Sequence, residues 1–125
     1  MDLYLSFVSA LQYVYVRNYV SRAIVKRVSL LHFPTCLALA DFNALYTHED
    51  QLAGEQVLAV IGTREGKVLT YKISSTGSER LAETSASLSF GGIAAVDVSV
   101  ELDKLVASTD AGELFTAEIV ANIRE

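Results

Sequence analysis

The pattern of apolar and polar positions is clearest between Val57 and Ile73, where a continuous apolar run is followed by an alternating one. The run Val57-Leu58-Ala59-Val60-Ile61 ends at Gly62, a polar turn closes on Gly66, and Val68-Leu69-Thr70-Tyr71-Lys72-Ile73 alternates between two faces. This pattern predicts a β-hairpin, with Gly66 supplying the positive φ that such a turn requires. The pattern recurs: Leu105-Val106-Ala107-Ser108-Thr109-Asp110-Ala111-Gly112-Glu113-Leu114-Phe115 overlays it at a constant shift of 46, Gly112 on Gly66. Upstream of each hairpin lies an Ala-rich apolar strand ending in aspartate. Leu37-Ala38-Leu39-Ala40-Asp41-Phe42 aligns with Ile93-Ala94-Ala95-Val96-Asp97-Val98 at a shift of 56, which implies a ten-residue insertion in the Asn43–Gly54 loop.

Other segments take their places around the hairpins. Ile24 to Leu31 predicts a strand with Val28 and Leu30 on one side, and Pro34 breaks the chain before the strand Thr35 to Phe42. Ser74–Glu79 has the composition of a linker, and an outer strand is expected around Leu81–Leu88. Residues 1–23 carry conflicting signals. Leu3, Phe7, Leu11 and Val14 fit one helical face, whereas Tyr13-Val14-Tyr15-Val16 has β propensity; the reading taken is a helix over Leu3 to about Val16.

A unit of strand, loop, strand, glycine turn, strand and outer strand is the blade of a β-propeller, whose rings usually hold ~4–8 blades. The expectation is therefore an all-β chain. An N-terminal extension, 1–23, precedes a partial propeller, 24–125, with one blade over about 33–89 and a second over about 90–125.

Composition adds limits. With 51% hydrophobic residues in 125, the chain has enough apolar side chains for a core. A net charge of −5 argues against a nucleic-acid footprint. The charge is unevenly placed. Residues 1–32 hold four basic side chains against Asp2, a balance of +3, and six basic against fourteen acidic residues leave the remainder at −8. The longest uncharged run, Leu3 to Val16, is too short to cross a bilayer as a helix and lacks a basic flank, so a soluble cytoplasmic protein is expected. The lone Cys36 sits in an apolar run and reads as a buried small hydrophobe.

The stretch Phe33–Phe42, with Gly54–Val68 after it, resembles FG-GAP-type β-propellers of the kind found in the KICSTOR complex; the likeness covers about Val25 to Ile119. It implies a scaffold subunit with no catalysis of its own, which helps TOR kinase signalling respond to amino-acid supply at the lysosome through its partners. WD-repeat and BBSome-type adaptor propellers share the hairpin and the apolar-Ala-Asp strand and are the alternative. Integrin-type FG-GAP blades also bind calcium through alternating oxygen ligands. Here Asp41 and Asn43 are the only candidates, because Leu45 occupies the third position and Val98-Ser99-Val100 follow Asp97.

No other chemistry stands out. His32 and His48 lack partners at metal spacing, no Gly-x-Ser-x-Gly elbow is present, and Gly62–Lys67 lacks the spacing of a phosphate loop. The expectation is a non-enzyme with no cofactor. Its partners are other protein subunits, and either missing blades or self-association complete its core.

Overall fold

A computed structural model describes residues 3–8, 10–41, 57–74, 77–85, 91–99 and 104–119. They form ten strands in three antiparallel sheets. The first sheet holds β1 (Leu3–Phe7), β2 (Tyr13–Asn18) and β3 (Ile24–Ser29) in that order. The middle sheet holds β4 (Pro34–Asp41), β5 (Val57–Thr63), β6 (Lys67–Ile73) and β7 (Ser78–Ser85). The last holds β8 (Ile93–Ser99), β9 (Lys104–Thr109) and β10 (Leu114–Glu118).

The helix expected over Leu3 to Val16 is instead a two-stranded hairpin. Leu5 pairs with Val16 and Phe7 with Val14. Burial there has a period of two: Leu3, Leu5, Val14 and Val16 are buried, while Leu11, on the supposed helical face, is exposed. The β-branched and aromatic residues of β2 favour a pleated surface, and the middle sheet offers an apolar face for it to cover. Asn18 turns the chain into β3, its Oδ1 accepting the N–H groups of Val20 and Ser21 at 2.9 and 3.0 Å. The sequence boundary at 23/24 thus falls within one sheet.

The three sheets stack face against face. Val57, Ala59, Ile61, Leu69, Tyr71 and Ile73 pack on the first sheet's Leu3, Leu5, Val14, Val16 and Val28. Leu58, Val60 and Val68, pointing the other way, pack on Ile93, Leu105 and Ala107 of the last sheet. All seven residues of β5 are buried, because both faces of the middle sheet are covered.

Both predicted hairpins form with the expected glycines at positive φ, 81° at Gly66 and 85° at Gly112. Thr63 closes the first: its hydroxyl donates to the Lys67 carbonyl at 2.9 Å and accepts the Lys67 N–H at 3.0 Å. In the second, Thr109 Oγ1 accepts the Glu113 N–H at 3.2 Å. The shift of 46 is therefore structural. The shift of 56 is not. In the ladders Ala38 faces Val60, whose repeat mate Val106 faces Asp97, so β4 and β8 correspond at a shift of 59 and the insertion between them is thirteen residues. Asp97 thus occupies the position of Ala38 and is no counterpart of Asp41. Short Ala-rich strands align in sequence at several registers; hydrogen bonding to the neighbouring hairpin selects one.

The outer strand β7 begins at Ser78, three residues earlier than expected, and just before it the Ser74 N–H bonds the Gly77 carbonyl at 2.9 Å. Positions 42–56 and 86–90, which hold the expected Asn43–Gly54 loop and the end of the expected Leu81–Leu88 strand, lie outside the described residues.

Candidate protein-interaction surfaces

Two seams and two free faces follow from the stack. At the first seam the connector Leu30–Phe33 crosses one end of the middle sheet. Arg80 of β7 donates from Nη2 to the Leu30 carbonyl at 3.0 Å and from Nε to the Tyr71 hydroxyl at 3.1 Å. Further along, the Arg64 N–H bonds the Phe33 carbonyl at 2.8 Å, and Glu65 Oε1 accepts the Phe33 N–H at 3.0 Å. The connector therefore runs from the outer strand β7 past the β5–β6 turn to β4.

At the second seam Thr35 Oγ1 donates to the Ile93 carbonyl, and within the last sheet, beside it, the Asp110 N–H bonds the Gly92 carbonyl at 2.9 Å. Gly62 lets the sheets meet closely here. A Cβ at that position would lie 2.5 Å from both Cys36 Sγ and Ile93 Cγ2. Cys36 is half-buried in this seam, and burial raises its thiol pKa, opposed by its hydrogen bond with the Thr35 hydroxyl. Its sulfur lies beside Gly62 and Ile93, the surroundings of a packing residue.

Among the candidate metal residues, Asp41 ends β4 opposite Val57, and Asn43 lies outside the described residues. Among the described residues no three His, Cys, Asp or Glu side chains gather as a metal site would require. Asp97 Oδ1 accepts the N–H of Val98 at 2.8 Å. His32, unpartnered in the sequence reading, has Nδ1 3.6 Å from Glu65 Oε1, a pairing made by the connector and invisible to local spacing. His48 lies outside the described residues. No described helix is long and apolar enough to cross a membrane.

The free faces differ in chemistry. On the first sheet, the face turned away from the core presents Tyr4, Tyr13, Tyr15, Arg17 and Arg27. Arg17 Nε donates to Ser6 Oγ at 3.0 Å, and the Arg27 guanidinium stacks 4.5 Å from the centre of the Tyr13 ring. On the last sheet, the outward residues are mostly small: Ala95, Val106, Ser108 and Thr116, with Asp97 and an exposed Leu114. Tyrosine and arginine enrichment is the compositional mark of protein interfaces. Sequence reasoning missed the first face because it placed Tyr13 and Tyr15 in a helix.

No protein family matches the sequence, and no curated protein does. Solved structures do match. A chain of the mitotic checkpoint complex is similar over 94% of this chain and 32% of its own length, with a TM-score of 0.67 and 14% identity. BamB from Moraxella catarrhalis is similar over 94% of this chain and 29% of its own, with a TM-score of 0.60 and 18% identity. A structure of BBS1N in complex with ARL6DN matches 86% of this chain and 33% of its own, with a TM-score of 0.42 and 16% identity. The chain spans about a third of the length of each. It is an all-β chain whose stacked sheets have the fold of part of a β-propeller.

Proposed function

We propose that this chain is a non-catalytic scaffold, three consecutive blade sheets of a propeller that bind other proteins through their free faces and edges. The three sheets then replace the sequence division at 23/24: residues 3–29, 34–85 and 93–118 are one blade sheet each. The observation that carries the reading is the contrast between the middle sheet, sealed on both sides, and its neighbours, each apolar inward and open outward. Similarity to a chain of the mitotic checkpoint complex supports a role among protein subunits.

The finer reading, from the FG-GAP resemblance, is a subunit like the integrin-alpha FG-GAP-repeat-containing protein of the KICSTOR complex, acting in amino-acid regulation of TOR signalling at the lysosomal surface. Mixing the purified chain with purified KICSTOR subunits tests it. Co-elution as a stoichiometric complex supports the finer reading; separate elution at micromolar concentrations removes it. A WD-repeat adaptor remains the second reading, favoured by the propeller neighbours themselves.

A further inference from the structure

We infer that the tyrosine–arginine face of the first sheet docks on the outward face of the last sheet of a second copy of this chain. The inference rests on the blade reading, since it extends the same front-to-back stacking that joins the three sheets within one chain.

Shape and charge both point to this occupant. The first face is built of large rings, with Tyr15 opposite Arg27 and Tyr4 opposite Arg17 across the ladders. Tyr4 is also set edge-on to Tyr19, ring centres 6.1 Å apart. No aspartate or glutamate occurs anywhere from Leu3 to His32, so neither arginine has an acidic neighbour on its own sheet. The last sheet has the converse form. Its small side chains leave two hollows, about 160 Å³ beside Ala95, Ser108 and Leu114 and about 230 Å³ beside Ser99, Lys104 and Thr116. Asp97 and Val106 border both hollows. Lys104 and Glu118 lie 3.5 Å apart on this sheet and offset each other, which leaves Asp97 as the exposed carboxylate between the two hollows.

Stacking an arginine face on another sheet removes its charges from water, which is costly unless a carboxylate meets them. Asp97 supplies one, and the hollows receive the tyrosine rings. An ordinary apolar blade face would supply neither. The two surfaces lie on opposite ends of the stack, so the contact is heterologous, and copies join head to tail.

Sedimentation equilibrium of the 125-residue chain over about 1–200 µM reads the association, which follows mass action. The expected result is a weight-average mass that rises with concentration and falls with added salt. Arg27→Asp alone and Asp97→Arg alone each weaken association about tenfold or more, by placing like charges in contact. Mixing the two variants in equal amounts restores it, because each then offers the charge that the other lacks. A wild-type monomer throughout the range, or association unchanged by both reversals, overturns the inference. So does a chain that associates only when further blades are fused to it. Thermal melting of the same samples separates the two readings: a monomer with a cooperative β-sheet transition leaves the blade reading standing, whereas no cooperative transition removes both.

Discussion

Replacing Gly62 by alanine adds one methyl group where the middle and last sheets meet closely. The new carbon would sit 2.5 Å from Cys36 Sγ, 2.5 Å from Ile93 Cγ2 and 2.9 Å from Ile93 Cβ. Carbon atoms pack at about 3.5–4.0 Å, so the seam must open by about 1 Å or distort two side chains at once. Ile93 is 1% exposed and belongs to the core between the two sheets, so it has little space to retreat. Overpacking of this kind costs about 1–3 kcal/mol. For a chain of this length that corresponds to a fall in Tm of roughly 3–10 °C. Ile93→Ala alone should cost about 2–5 kcal/mol, as a fully buried side chain is truncated. The double variant Gly62→Ala/Ile93→Ala should be more stable than the sum of the two losses by about 1 kcal/mol, since the alanine at 93 lacks the methyl that clashes. Urea denaturation of the four proteins measures the cycle. An unchanged midpoint for Gly62→Ala, or strictly additive losses, would refute close packing of the two sheets at this point.

Gly66→Val and Gly112→Val should each destabilise the chain by at least ~1 kcal/mol, because β-branched residues are strained at positive φ; unaltered melting of both would contradict the turn geometry. Thr63→Val should cost about 1–3 kcal/mol by leaving the Lys67 N–H and carbonyl without the hydroxyl between them, and chemical denaturation reads the loss. The Lys67 ammonium, 3.0 Å from Glu83, lowers the carboxyl pKa from its ordinary 4.5. A carboxyl lowered on folding adds stability above its unfolded pKa and loses it as pH falls through the folded one. Lys67→Met should therefore flatten the acid limb of a stability–pH curve, and an unaltered limb would show that the pair contributes nothing. Calorimetry with calcium should show no stoichiometric heat that disappears in Asp41→Ala; a lost site would promote a calcium-binding propeller instead.

The hairpins were the most legible part of the sequence. Their glycines and the shift of 46 are local features, set by turn chemistry within a few residues. The continuous apolar run of β5 also carried a signal, since a strand with no polar alternation needs cover on both faces. On one face that cover comes from the last sheet, and on the other from residues 3–29, where helical spacing and β propensity compete in sequence and tertiary packing decides. The correspondence of β4 with β8 was not legible, because Ala-rich strands leave register to long-range hydrogen bonds. Nor was the pairing of His32 with Glu65 or the hold of Arg80 on Leu30, contacts 33 and 50 residues apart, determined by the path of one connector. The candidate surface was half visible. The basic bias of residues 1–32 stood in the composition, but only the alternation of β1, β2 and β3 brings the tyrosines and arginines onto one face.

Methyl-resolved NMR of the chain in solution tests the stack of three sheets most directly, through nuclear Overhauser contacts from β5. If the sheets stack as described, Val57, Ala59 and Ile61 contact methyls of Leu3, Leu5, Val14 and Val16, whereas Leu58 and Val60 contact those of Ile93, Leu105 and Ala107. Contacts from β5 to one side only, or a first sheet whose methyls touch no residue of β5 or β6, would contradict the account.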